Sequence, residues 1–425
     1  MGVQGVQLPA GGLGAAPPEA LACPFLILPR EALAIFLLFS YSLRMEFFTL
    51  DNGLLPGAPF DPARGTTAAD GLSETVYREW NDCVDADLYD PSCSAPAWQL
   101  SFHDTFAPAR RVFIETDGRN AVAFSEGSFS DGSPCLLPLE PHWFSGCPIL
   151  GPEGDQLFAR CLGAIIREYG GRVPGVLLSS VFAGGELIQR LTHGFSRFYQ
   201  FALYSSPEQR SASLEGGLDG WLSRRSGNFR SKLKKSLRRA EGNGVQYERH
   251  VPSTHDEADA LYARMLDVES RSWKGQQNSG ISETPSKEFY LAMMHRLTVG
   301  PQAGCARVMF ATHEGQDIGF IFGSLAGGEL TSRPFLIGPR GELVTAHKPS
   351  PRGSAYRGQQ FSFDNERRAW SVGDLLQFKQ LEWLCEEGVS RYDMGMSDDP
   401  RMAYKSHWAE AVRKQQTWIM LPKQQ

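Results

Sequence analysis

Twice along the chain the hydrophobic period passes from helical to alternating and back in the same order. That repetition limits the fold more than any single motif. Residues 74–84 (ETVYREWNDCV) and 97–107 (AWQLSFHDTFA) have helical spacing, and strand patterns follow at 111–116, 120–126 and 134–139. Asp117-Gly118 between the first two strands is a hairpin signal, because such a turn needs a positive φ. Helix 155–169 sets Leu157, Phe158, Cys161, Leu162, Ile165 and Ile166 on one face and stops at Gly170-Gly171. Strand 175–181, helix 186–194 and strand 197–204 close the first pattern. The second holds strand 245–250, helices 254–272 and 286–299, strands 306–312, 317–324 and 329–337, strand 359–364, helix 374–387, strand 391–395 and a last strand at 414–421. Residues 338–358, rich in Gly, Pro and Arg, read as a long surface loop. A strand–helix–strand crossover makes its two strands parallel, and ligands gather at the C-terminal ends of such strands, near helix N-termini. The expected class is α/β (α+β mixed): two tandem lobes, each a mixed, mostly antiparallel sheet flanked by helices.

The composition narrows the function. The 425 residues are 42% hydrophobic and 21% charged, which excludes a wholly disordered chain. The net charge of −6 argues against DNA as a partner of the protein as a whole. The eight cysteines are scattered, with no C-x2-C pair, so they read as reduced thiols and neither a zinc cluster nor a disulfide scaffold is expected. The nine histidines are dispersed too, and no metal constellation, G-x-S-x-G or P-loop occurs. The apolar run 33–43 (LAIFLLFSYSL) is shorter than the ~20 residues that span a bilayer. Residues 1–44 are read as a disordered or mis-called N-terminal extension, and the protein as cytoplasmic.

Residues 213–244 separate the two patterns and differ from both. Between Ser223 and Ala240 lie eight cations and no acid, while Phe229, Leu233 and Leu237 form an apolar stripe. This is a basic amphipathic helix, 224–239. Arg230, Lys234 and Arg238 on it are candidates to hold an anionic partner: a donor nucleotide, a tRNA acceptor stem or an acidic membrane face met peripherally. The competing reading is a solvated connector helix.

Four segments then point to a family: NFRSKLKKSLRRAE (228–241), ESRSWKG (269–275), SVGDLL (371–376) and DMGMSDDPRMAYKSHWAE (393–410), with the YK-x2-WA element at 404–409 the most specific. They resemble the CelD-like branch of the GNAT N-acyltransferase superfamily, which is similar to the Fem peptidyl transferases. The resemblance implies GNAT-like lobes at 45–212 and 245–425, joined by 213–244. It implies acetyl-CoA or another acyl-CoA as co-substrate, no metal, and an amine acceptor that is a small molecule, glycan or peptide. Two alternatives stay open: a Fem-like transferase that uses aminoacyl-tRNA, and a non-catalytic GNAT-fold binding protein.

The reaction assigns roles. Acyl transfer from a thioester to an amine needs a cradle for the donor phosphates, a hydrogen bond for the carbonyl, a route for the ammonium proton and an acid for the thiolate. Ser371 and Gly373 at the start of helix 374–387 suit the cradle, since a helix N-terminus presents free N–H groups and partial positive charge. Lys405 is expected to meet a donor phosphate or the oxyanion, Tyr404 to protonate the thiolate, and Asp393 to take the ammonium proton. Trp273, Lys274, Glu269 and Trp408 are candidates to line the acceptor side, although core packing suits Trp408 better.

Overall fold

A computed structural model of the protein describes residues 72–84, 90–277, 280–327, 354–398 and 402–423, with the backbone of two short strands at Leu336–Ile337 and Leu343–Val344. The 1–44 extension, the apolar run within it and most of loop 338–358 lie outside the described residues.

The first lobe opens with α1 (Glu74–Asp82), α2 (Pro91–Ser94) and α3 (Pro96–Phe106). Strands β1 (Val112–Thr116), β2 (Ala121–Ser128), β3 (Pro134–Pro138) and β4 (Ile149–Leu150) follow. Then come α4 (Gly154–Glu168), β5 (Gly175–Phe182), α5 (Glu186–Phe195), β6 (Tyr199–Ser205) and β7 (Glu208–Ser213). The β1–β2 hairpin turns at Gly118, with φ +80°, as the Asp-Gly signal requires. Connecting helices α6 (Gly217–Ser223) and α7 (Gly227–Gly242) lead into β8 (Gln246–His250), α8 (His255–Arg271), α9 (Ser286–Thr298), β9 (Ala306–His313) and β10 (Gln316–Ala326). The short strands are β11 and β12. The chain closes with β13 (Ala355–Phe363), α10 (Val372–Glu386), β14 (Arg391–Met396), α11 (Lys405–Trp408) and β15 (Ala411–Pro422).

Thirteen strands form one sheet, ordered β1-β2-β3-β5-β15-β7-β14-β13-β10-β9-β8, with β4 on β2 and β6 on β15. The mixed, mostly antiparallel sheet expected from the sequence is present, and its two parallel pairings are β3–β5 and β13–β14. Each brackets a crossover helix, α4 or α10.

The two lobes exchange strands at their junction. β7, from the first half of the chain, lies against β14 of the second. β15 pairs with β7 through Ala411–Lys414 and with β5 and β6 through its remaining length. β7 (EQRSAS) has little strand character in its sequence, yet Gln209, Ser211 and Ala212 are buried in mid-sheet. Polar side chains there must find hydrogen bonds, because an unsatisfied buried group costs about 1–3 kcal/mol. Gln209 finds three, described below.

The core follows the strand period of two. Met309, Ile321, Val372 and Leu376 pack together on the α10 side of the second lobe. Phe310, Phe320 and Phe322 join Met265, Phe289 and Met293 of α8 and α9 on the other. Trp98 and Phe102 of α3 enter that second cluster, and the Trp98 ring meets Phe289 edge-on at 4.9 Å.

Candidate active site

β13 and β14 pair for three residues only: Ala355 with Arg391, Tyr356 with Tyr392 and Arg357 with Asp393. Beyond Arg357 and Asp393 the strands part, leaving the amides and carbonyls of 358–363 without parallel partners on that edge. The N-terminus of α10 stands at the C-terminal end of β13. Ser371 precedes it at φ +61°, and no side chain caps it. This end therefore presents uncapped amides and the positive pole of a 15-residue helix. Ser371 and Gly373 hold the expected place, but the glycine has a packing reason of its own: a Cβ there would sit 3.0 Å from the Phe363 ring.

Tyr404, just before α11, packs edge-on against Phe361 of β13 with ring centroids 5.9 Å apart. Burial pushes its phenol up to about 12, so it stays protonated at neutral pH. On the opposite face of β13, Gln360 donates to the Tyr290 hydroxyl at 2.6 Å. Lys274 donates to the Phe361 carbonyl at 3.0 Å and to Gln360 Oε1 at 3.2 Å, and lies 3.5 Å from Glu269. Desolvation lowers the Lys274 pKa, opposed by Glu269. Trp273 is 40% exposed beside them, available to an incoming molecule.

Three expectations need correction, and a fourth residue takes the packing role favoured for it. Glu269 is fully buried. It accepts from the Ile281 amide and the Ser272 hydroxyl, both at 3.2 Å, so it fixes the 272–281 segment rather than facing an acceptor. Trp408 is core, stacked on Trp221 at 5.7 Å and met edge-on by Phe229. Lys405 is 8% exposed and donates to the Met396 carbonyl at 2.6 Å. It straps α11 to the end of β14, a poor place from which to meet a phosphate. Asp393 points to the α8–α9 side, opposite Tyr392, as strand alternation requires. Its carboxylate accepts from Gln209 Nε2 at 2.6 Å, the Gly395 amide at 3.1 Å and Arg357 Nη1 at 3.2 Å. A carboxylate so engaged is not placed to take the ammonium proton.

Asp393 belongs instead to a buried network that sequence reasoning missed. Arg357 Nη1 also meets Asp90 Oδ2 at 2.8 Å, Gln209 Nε2 reaches the same oxygen at 3.2 Å, and Gln415 donates to Gln209. Asp90 caps α2 through the Cys93 amide. Burial raises its pKa to about 6, against the pull of Arg357. These residues come from α2, β7, β13, β14 and β15, so no sequence spacing could have grouped them.

The basic helix divides by direction. Arg224 and Arg225, expected on a helix 224–239, lie before α7 begins at Gly227 and pair with Glu410. Lys232 lies 3.9 Å from Asp374 in the first turn of α10, and Arg239 donates to the Ala369 carbonyl at 2.7 Å. Helical geometry places Arg230, Lys234 and Arg238 away from that side. These three and Lys235 are exposed and without an ion pair among the described residues.

The first lobe repeats the parallel strand pair with a different outcome. β3 and β5 pair through Cys135–Gly175 and Leu136–Val176 and then separate. The segment 140–148 fills that separation: Ser179 of β5 donates to the Gly146 carbonyl, and a Cβ on Gly146 would sit 2.1 Å from the Cys93 carbonyl oxygen. Glu140 is buried beneath it, accepting from the Trp143 and Ser145 amides, and burial lifts its pKa to about 7.

No described helix is long and apolar enough to cross a membrane, and among the described residues no group of three His, Cys, Asp or Glu could hold a metal ion.

Residues 227–338 and 340–406 match the family model described as an acetyltransferase (GNAT) domain. No curated protein matches the sequence. The fold is similar to a conserved protein of unknown function from Bacteroides thetaiotaomicron VPI-5482, at TM-score 0.54 and 8% identity, covering 83% of this chain and 98% of that one. It is similar to FemX at TM-score 0.52 and 9% identity, covering 81% and 96%. A tandem GNAT protein from the clavulanic acid biosynthesis pathway aligns at TM-score 0.38 and 12% identity, covering 83% and 97%. The stretch 227–406 is thus similar to a GNAT acetyltransferase domain, and the two likenesses above 0.5 are likenesses of fold.

Proposed function

We propose that the protein is an N-acyltransferase that moves an acyl group from acyl-CoA to an amine by direct attack. The parting of β13 and β14 beside the uncapped α10 terminus carries this reading. It offers an extended donor arm a strand edge to lie along, and offers a diphosphate the free amides of a helix start. Tyr404, protonated and packed on Phe361 of the parted strand, is the group we assign to protonate the leaving thiolate. Ser371 and Gly373 we assign to the phosphate cradle, and Trp273 to the acceptor side. The acceptor is an amine whose remaining structure stays open among small molecules, glycans and peptides. We favour the CelD-like branch, on the YK-x2-WA element at 404–409.

Calorimetry with acetyl-CoA and longer acyl-CoA thioesters tests the donor. Absence of binding for all of them would end this reading. With an amine panel, thiol release is expected to fall about a hundredfold in Tyr404→Phe, the scale of a lost general acid. Unchanged turnover would remove Tyr404 from the mechanism.

A second reading, transfer from aminoacyl-tRNA, is favoured by the exposed Arg230, Lys234 and Arg238 on α7. Its mark is tRNA binding that weakens steeply with salt, since phosphate contacts release counterions.

A further inference from the structure

The network at the point where β13 and β14 part has no role in the chemistry above, although it lies where an acyl group would arrive. Arg357 is the last β13 residue paired to β14. It is 8% exposed, and its guanidinium is held from one side only: Nη1 binds both Asp90 and Asp393. Nη2 makes no hydrogen bond among the described residues and lies against Gly395, where a Cβ would stand 2.6 Å from it. Gly395 also takes φ +74°, so glycine is required twice over, for conformation and for room. Nε is buried without a partner. A fixed cation with a donor unspent among the described residues, at the point where two strands part, is costly to keep unless something accepts from it.

Length places the acceptor. From Arg357 to Phe363, where β13 ends near the α10 terminus, six residues span about 20 Å of strand. An extended pantetheine arm with its diphosphate at α10 matches that reach and brings its thioester to Arg357. Resting on the acyltransferase reading, we propose that Arg357 is a further catalytic residue whose Nη2 hydrogen-bonds the donor's acyl carbonyl oxygen. The amine nitrogen adds to the thioester carbon, and the oxygen gains the negative charge that Nη2 meets. Collapse re-forms the carbonyl and breaks the C–S bond. In net terms one proton passes from nitrogen to sulfur, and amide and CoA thiol leave. Asp90 and Asp393 are positioning residues that aim the guanidinium, one held from each lobe.

The test needs no acceptor. Acetyl-CoA and S-ethyl-CoA, a thioether lacking the carbonyl, are titrated calorimetrically into the wild type, into Arg357→Lys and into an Arg357→Met/Asp393→Asn double variant. The second variant removes the cation together with one of its two carboxylates and leaves Asp90 to Gln209 and the Cys93 amide, and circular dichroism reports the fold of each. The wild type is expected to prefer acetyl-CoA about tenfold, the scale of a hydrogen bond from a charged donor. Folded variants are expected to lose that preference while holding S-ethyl-CoA as before. Equal binding of the two compounds by the wild type, or a preference that survives in a folded variant, overturns the role of Arg357 and leaves the acyltransferase reading intact. Failure of the wild type to bind either compound overturns both.

Discussion

The two lobes share a parallel strand pair that separates after two or three residues, and they treat the separation in opposite ways. Between β13 and β14 the chain leaves the strand edge beside an uncapped helix start. Between β3 and β5 it inserts its own segment 140–148, tied to β5 through Ser179 and Gly146. α4, the counterpart of α10, begins at Gly154, whose amide bonds the Gly151 carbonyl at 3.3 Å in a local turn. One separation is thus finished by the protein's own backbone, while the other is where we propose that the donor lies. A shared architecture does not imply a shared activity, and what decides here is which groups already have partners.

The comparison breaks most completely if the lobes cannot be parted. Deletion of Ala411–Pro422 strips a strand from β5, β6 and β7 together. It is expected to leave neither lobe folded, at a cost comparable to a typical total stability of about 5–15 kcal/mol. Circular dichroism and gel filtration would show it, and a folded, monomeric remnant would contradict it.

Next in size is the pH response of the filled separation. Glu140 has a folded pKa of about 7, above its unfolded value, so its contribution is present at low pH and fades as pH rises from the ordinary carboxyl range through 7. Relative to Glu140→Gln, the wild type is expected to lose about 3 kcal/mol between pH 4 and pH 8, read from urea midpoints at each pH. Parallel profiles for the two proteins would refute the assignment. Asp90 titrates alike in both and cancels.

Gly146→Ala sharpens the contrast further. The added methyl meets the Cys93 carbonyl and Gln99, so a loss of about 1–3 kcal/mol is expected, with acetyl-CoA affinity unchanged in the folded variant. A fall in affinity would show that the first lobe shares in donor binding. The smallest stability effect belongs to the Arg230→Gln/Lys234→Gln/Arg238→Gln variant, within about 0.5 kcal/mol of wild type. If tRNA is the donor, the same variant lowers the salt slope of binding by about three.

Much of this was legible in the sequence. Helical and strand periods placed α3, α4, α8, α9, β9, β10 and α10 to within a residue or two, because each buries one face against a regular neighbour. β7 was missed because its polar residues are satisfied by partners on β14, β15 and α2, distant in sequence. Arg357 falls in the stretch 338–358 that reads as a loop, since AYRG carries more turn than strand character, yet β13 begins at Ala355. Asp393 faces away from Tyr392 as alternation predicts, but it lies within β14 (Arg391–Met396) rather than at its end. Its partners Asp90, Gln209 and Arg357 come from three other elements, and nothing local betrays them. Trp408 and Lys405 fell in a recognisable motif, but which side of α11 each would occupy depended on Trp221 and on the Met396 carbonyl.

The position of β15 also has a consequence for synthesis. As the chain leaves the ribosome, β5 and β6 emerge some two hundred residues before the strand that joins them. The first lobe must wait with two β-edges open while the second is made. A cell producing this protein has to shield those edges from neighbouring nascent chains, and a tag or fusion that tethers the end of β15 threatens the half of the molecule made first.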